Sequence, residues 1–326
     1  MRKAVAANAL TFIILAAIVF GGVVGWGRAQ FYAPGPLTEP VLVTVNSGDT
    51  LTRVTPKLVE AGAISNAEIF RLGARYSGLA SQLKFGEYEL PTGASMEEIL
   101  LVLTSGRSIQ YKVTIAEGLT SFEVVQVLLA DPVLTGELPN IPPEGSLAPN
   151  TYLFGRGATR ESIIETMTES QLDILNAAWI GRMPDHPVQS AEELLILASI
   201  IEKETGIAEE REQVASVFVN RLRLGMRMQT DPTVIYGITL GREVLGRGLR
   251  QSELDRETPY NTYRIAGLPP TPIANPGRAA IEAAANPDDT PYIFFVADGT
   301  GGHAFATNLA DHNANVARWR AIEAGQ

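Results

Sequence analysis

Cysteine is missing from all 326 positions, which excludes disulfides and thiol chemistry and argues against a structural zinc site. A basic surplus is missing too. With 26 Lys and Arg against 36 Asp and Glu the net charge is −10, which argues against nucleic acid as a partner. No internal repeat or low-complexity stretch interrupts the chain. What is present suits a globular protein with a proper core: 45% hydrophobic and 19% charged residues, over a length sufficient for two ordinary domains.

Charge is also absent between Ala4 and Gly27, a run of 24 residues. A helix of that length covers roughly 36 Å, enough to cross the hydrocarbon of a bilayer. Trp26 suits the membrane interface, and Arg2 and Lys3 in front predict a cytoplasmic N-terminus. A cleaved signal peptide is the competing reading. The apolar run is long for one and shows no small-x-small cleavage site, so an uncleaved anchor is preferred. Gly21 and Gly25 form a Gly-x-x-x-Gly pair, weak evidence for dimerisation in a span this rich in Ala and Gly. The expected organisation is a cytoplasmic segment 1–8, a transmembrane helix 9–28, an extended, proline-containing linker 29–40, a first subdomain 41–140 and a second domain 141–326. Everything after Arg28 lies outside the cytoplasm.

From Val41 the pattern is strand, helix, helix, strand. Residues 41–45 are rich in β-formers, 47–50 supply a turn and a helix start, a second helix falls near 67–76, and 85–90 return as a strand. Helices over 95–103 and 120–129 flank a strand at 111–115. The turn-rich stretch 131–140 marks the passage to the second domain. There, helices are predicted over 161–178, 190–205, 209–224, 278–285 and 309–324, and a hairpin joins 292–296 to 303–306 across a glycine-rich turn. Three segments rich in proline and polar or aromatic residues, 229–237, 260–263 and 267–277, read as rigid loops, a common seat of binding groups. The fold class is α+β: one membrane helix, a small βααβ subdomain, and a mixed α+β second domain around a central buried helix.

That buried helix carries the sharpest local signal. Ser190 followed three residues later by Glu193 has the form of a capping box, and Gly206 offers a left-handed stop. Every residue from Leu194 to Ile201 is apolar or small, the mark of a helix buried all round. Yet Glu202 and Glu204 stand in its last turn, where the negative end of the dipole and partial burial both disfavour an anion. A carboxyl that holds its proton near neutral pH is what a general acid requires. Glu202 lies over Leu195, Ala198 and Ser199, whose small members leave room for something from outside; Glu204 lies over Leu197, Ile200 and Ile201, a side for other elements to pack. Glu202 is the favoured acid. The alternative is a pair of frayed, solvated carboxylates.

Six motifs follow one another in the second half: Leu197-Ala198-Ser199-Ile200-Ile201-Glu202-Lys203-Glu204-Thr205, Val214-Ala215-Ser216-Val217-Phe218-Val219-Asn220-Arg221-Leu222, Gln229-Thr230-Asp231-Pro232-Thr233-Val234-Ile235-Tyr236-Gly237, Tyr260-Asn261-Thr262-Tyr263, Gly267-Leu268-Pro269-Pro270 and Phe295-Val296-Ala297-Asp298-Gly299. With them the chain resembles the YceG-like (MltG) family of endolytic murein transglycosylases over nearly its whole length. The opening 43–51 resembles a LysM module, which implies affinity for glycans containing N-acetylglucosamine; a spacer without sugar affinity is the alternative. The family resemblance implies a single-pass inner-membrane enzyme with a periplasmic catalytic domain. Such an enzyme cuts the bond between N-acetylmuramic acid and N-acetylglucosamine in nascent peptidoglycan and leaves 1,6-anhydro ends. Its catalytic glutamate falls on Glu202, acting as acid and then as base. Peptidoglycan strands and the membrane are the implied partners, with cell-wall synthases as candidates, and no cofactor is implied. A metal site from His303 and His312 has poor spacing and is discounted. One departure is visible: the family pattern Glu-Gly-x-Leu-(aromatic)-Pro-Asp-Thr-Tyr appears at 144–152 with Ala148 and Asn150 in place of the aromatic and the aspartate. That puts an essential carboxylate at position 150 in doubt.

The candidates for holding the sugar are Gln229, Asp231, Tyr236, Asn261, Tyr263 and His303. Each has a structural counterpart reading: loop-internal hydrogen bonds for Gln229 and Asn261, a turn former for Asp231, core filling for the tyrosines, and a satisfied structural role for His303. Three classes stay open: a transglycosylase, a muramidase with Asp231 or Glu204 as second carboxylate, and a non-enzymatic tether of the wall.

Overall fold

The computed structural model describes the backbone of residues 2–325 and the side chains from Leu10 onward. The first element, α1 (Arg2–Tyr32), is unbroken, and its stretch Leu10–Tyr32 is long and apolar enough to cross a membrane, with a mean hydropathy of 2.2. The basic pair Arg2 and Lys3, with the rest of the expected cytoplasmic segment, lies outside the described side chains.

The chain forms two compact units, residues 1–111 with 153–157, and residues 112–152 with 158–326. The division comes at Tyr111–Lys112, earlier than the turn-rich 131–140 stretch suggested. In the first unit α1 is followed by β1 (Val41–Val45), α2 (Leu51–Glu60), α3 (Ala67–Tyr76), β2 (Gly86–Leu90) and α4 (Met96–Ser105). The strands pair antiparallel, Val41 opposite Leu90 and Val45 opposite Gly86. Alternation along β1 turns Val43 and Val45 inward against Leu58, Phe70 and Tyr88. Ser95 closes a complete capping box with Glu98 at the start of α4.

The expected free linker over 29–40 is a docked segment instead. α1 continues to Tyr32, and Phe31 is buried in the first unit's core. Gly73 admits it: a Cβ there would lie 2.3 Å from the Phe31 ring. Further on, Gly35 N–H donates to Gly93 O at 3.0 Å and Gly93 N–H donates to Leu37 O at 2.9 Å. Leu37 is buried beside them. The prolines nearby do not prevent this, because burying Phe31 and Leu37 gains roughly 1.5–3 kcal/mol each.

Strands β3 (Tyr111–Thr114) and β4 (Thr151–Phe154) carry the chain between the units; α5 (Ser121–Ala130) separates them. The second unit then runs through α6 (Arg160–Ile180), α7 (Ala191–Glu204), a 3₁₀ turn (Ala208–Glu210), α8 (Arg211–Arg223), α9 (Asp231–Thr239), α10 (Gln251–Leu254), α11 (Arg278–Ala285), the antiparallel pair β5 (Phe294–Ala297) and β6 (His303–Ala306), and α12 (Leu309–Gly325). Helix α7 contacts α6, α8, α9 and α11, and its residues Ile196 to Ile201 are all buried. Buried Ala280, Ala283, Ala284 and Ala285 let α11 come close.

Two local expectations change. Residues 231–239 are helix and not loop, because Pro232 sits in the first turn of α9, where no intrahelical N–H is needed. Gly206 does not stop α7 in a left-handed turn. Thr205 ends the helix in extended geometry; its hydroxyl donates to Glu210 Oε1 at 2.7 Å and accepts from Ile207 N–H at 3.0 Å. At the other end Ser190 Oγ accepts from Glu193 N–H at 3.2 Å, but the Glu193 carboxylate reaches one residue past the cap, to Gln189 N–H at 2.6 Å.

Candidate active site

Glu202, in the last turn of α7, is half-buried. The proline-rich segment before α11 packs against the small residues beside it. Ser199 Oγ, fully buried, accepts from Ile273 N–H at 3.0 Å. Four residues on, Gly277 N–H donates to Glu202 Oε2 at 3.0 Å from the start of α11. Burial holds the Glu202 carboxyl above the usual range; the Gly277 N–H pulls the other way, and the negative charge of Glu117 adds to the rise. The N-terminus of α11 also carries the positive end of a helix dipole, so both protonation states have support.

The segment 117–121 forms a second wall. A Cβ on Gly277 would sit 1.9 Å from Glu117 Oε1, so the exposed Glu117 side chain lies directly against this glycine. Gly118 takes φ +74°, which favours glycine, and its carbonyl accepts from Lys203 Nζ at 3.1 Å. Asn275 fixes this wall to the third. It is fully buried, its backbone pairs with Gly118 and Leu119, and its Nδ2 donates to Leu119 O at 3.0 Å and Ser121 Oγ at 3.2 Å. Its Oδ1 accepts from Leu147 N–H at 2.9 Å.

The third wall brings a carboxyl that sequence reasoning left unassigned. Glu144 accepts from Ser121 N–H at 2.7 Å, Tyr236 OH at 3.1 Å and Asn275 Nδ2 at 3.4 Å. Burial pushes this carboxyl up despite those bonds. Burial and the adjacent Glu144 likewise push the Tyr236 hydroxyl up, so it stays a donor. Gly277 and Glu117 thus meet at Glu202, and Asn275 ties Glu144 to the walls beside them, from segments far apart in sequence. The one available signal was the family-like 144–152 stretch together with the rigid 267–277 segment.

Of the remaining candidates, Asp231, Tyr263 and His303 lie near the neighbouring carboxyl, Glu204. Glu204 is half-buried and accepts from Thr230 Oγ1; burial raises it, and Asp231 adds to the rise. Exposed Asp231 accepts from Tyr263 OH at 2.7 Å. Gln229 is exposed with φ +51°, a left-handed conformation unusual for a residue with a side chain. Asn261 is fully buried, its Nδ2 donating to the carbonyls of Glu253, Leu254 and Arg256 at 3.2, 2.9 and 2.6 Å and its Oδ1 accepting from Tyr263 N–H at 3.0 Å. Its amide organises the loop and leaves no donor for a ligand. His303 lies 2.6 Å from Glu210 Oε1 through Nδ1, and its N–H donates to Glu210 Oε2 at 3.1 Å. Tyr236 is the one sugar-holding candidate placed within the hydrogen-bonded group that leads to Glu202.

A model described as the YceG-like family matches residues 43–318. The chain belongs to the YceG-like family. It is 31% identical to the endolytic murein transglycosylase of Bacillus subtilis over 332 residues, covering 91% of this chain and 89% of that protein. The endolytic murein transglycosylase of Streptococcus pneumoniae is 28% identical over 85% of this chain, which spans 58% of that longer relative. A crystal structure of a putative YceG-like protein from Listeria monocytogenes shares the fold with a TM-score of 0.50 at 29% identity, over 85% of this chain and 99% of the other.

Proposed function

We propose that this chain is a membrane-anchored lytic transglycosylase of peptidoglycan glycan strands, with Glu202 as acid and then base. The observation that carries the reading is the balance at one carboxyl: burial favours the protonated form, and the Gly277 N–H favours the carboxylate that follows. The relatives named endolytic murein transglycosylase support the substrate class. Protonated Glu202 gives its proton to the glycosidic oxygen as the bond from C1 of N-acetylmuramic acid breaks. The C6 hydroxyl of the same sugar then closes on C1, and the Glu202 carboxylate takes its proton. The product is a 1,6-anhydro end, no water enters, and the acid is restored.

A hydrolase would need a second carboxylate across the bond. The two that the sequence offered for that part each accept a hydrogen bond within the protein, Glu204 from Thr230 and Asp231 from Tyr263. The span Leu10–Tyr32 would hold the enzyme in the inner membrane with both units outside the cytoplasm, where the βααβ unit is a candidate LysM-type glycan binder. Mass spectrometry of digested strands tests the reading. The expected ends are one water lighter than reducing ends. Reducing ends alone would make the chain a muramidase, and glycan binding with no new ends would make it a tether.

A further inference from the structure

The buried face of α6 reads Ile163, Met167, Gln171, Ile174, Leu175 and Ala178, a helical spacing with one polar member. A methionine would fill that place with no polar group to satisfy. Gln171 instead donates from Nε2 to Gly145 O at 3.0 Å and to Pro276 O at 3.2 Å, both in buried residues. Its Oε1 is buried as well and has no hydrogen-bond partner among the described residues, which costs stability. What the amide contributes therefore lies in those two carbonyls.

The second carbonyl matters for what shares its peptide. Pro276 C=O and Gly277 N–H belong to one planar unit. Its oxygen accepts from Gln171, and its N–H donates to Glu202 Oε2 at 3.0 Å. A peptide held at its oxygen resists the rotation that would swing its N–H away, and a donor on that oxygen polarises the N–H. We propose that Gln171 is a positioning residue for Glu202, holding the Pro276–Gly277 peptide so that its N–H meets the carboxylate left when Glu202 gives up its proton. The proposal rests on the transglycosylase reading above and deepens it, setting α6 behind the acid carried by α7. Gln171 acts through the peptide, and the proton steps stay with Glu202.

The test follows initial rates of anhydro-end formation against pH, with the full chain in detergent and glycan strands as substrate. Burial sets the Glu202 carboxyl high and the Gly277 N–H draws it down. A loosened N–H leaves the carboxylate less stable, so the acid keeps its proton to higher pH. A whole charge-assisted hydrogen bond is worth roughly one to two pH units. Gln171→Met, similar in size and without the donor, should move the alkaline limb of kcat/KM upward by about half a unit or more. Glu117, Arg211 and Lys203, the charged groups acting on Glu202, stay in place. Ile174→Ala makes a cavity on the same face of α6 and should lower stability while leaving the limb where it was. An unmoved limb in Gln171→Met, or an equal move in Ile174→Ala, overturns the proposal and leaves Gln171 a structural amide.

A second measurement needs no variant of Gln171 to fold. In wild type labelled with ¹⁵N at glutamine side chains, the Gln171 amide signals should shift with pH through the midpoint of the limb. Gly145 follows Glu144, so the spectrum of Glu202→Gln separates any part due to that second carboxyl. Signals flat in wild type, or titrating unchanged in Glu202→Gln, contradict the link. Failure of the transglycosylase reading looks different: wild type forms no anhydro ends, or Glu202→Gln still forms them, while the Gln171 amide still reports on the Glu202 carboxyl.

Discussion

Replacing Asn275 is the sharpest probe of how the site is held. This fully buried amide touches Leu119, Ser121, Glu144 and Leu147, joining the two walls that face the segment carrying Gly277. Asn275→Ala removes those contacts at about 1 kcal/mol for each neutral bond and orphans the buried Leu147 N–H, a further ~1–3 kcal/mol. The expected total is roughly 3–5 kcal/mol, at the upper end for a single substitution yet within the stability of an ordinary domain. Urea unfolding followed by tryptophan fluorescence can read it, because Trp179 and Trp319 both belong to the second unit and Trp26 lies in the apolar helix. Asn275→Asp sharpens the test. It keeps an acceptor for Leu147 but sets a carboxylate against Glu144, whose own carboxyl burial already raises. Its destabilisation should grow as pH rises through the carboxyl range, and Glu144→Gln should relieve it. An alanine variant within 1 kcal/mol of wild type, or an aspartate variant indifferent to pH, would refute the reasoning.

Two further outcomes follow from the shifted carboxyls. The folded-state value of Glu204 lies above 4.5, so its stabilising contribution is full at low pH and is lost as pH rises through that higher value. Thermal unfolding of wild type should therefore weaken with rising pH more than that of Glu204→Gln, whose amide oxygen still accepts from Thr230. A flat wild-type profile would contradict this. Glu117 raises Glu202 by like charge, so Glu117→Gln should move the alkaline limb of kcat/KM to lower pH without loss of fold; an unmoved limb would remove Glu117 from the site.

Much of this was legible because single elements carried their own signals. Ser190, the apolar run to Ile201 and the two last-turn glutamates defined α7 and its candidate acid from local pattern alone. Where the reading failed, a local rule met tertiary context. Pro232 looked like a breaker, but in a first helical turn its missing N–H is harmless. The linker looked extended, yet Phe31 and Leu37 had a core to enter. Small residues beside Glu202 suggested room for something from outside, and the segment that packs there is the chain's own 273–277 backbone. Glu117 was silent, and Glu144 and Asn275 were marked only by the stretches that hold them, because their roles come from segments some 130 to 160 residues apart, as the Leu147–Asn275 and Ser121–Asn275 pairs are at separations of 128 and 154. No periodicity records such a meeting.

The central claim is that one carboxyl on α7 performs both proton transfers. The most direct measurement is the single-turnover rate of anhydro-end formation by Glu202→Gln, in a preparation whose unfolding curve matches wild type. The account predicts a fall of about 10²–10⁴-fold or more, the contribution of a positioned general acid and base. A variant that forms anhydro ends within about tenfold of wild type would place the chemistry on another group.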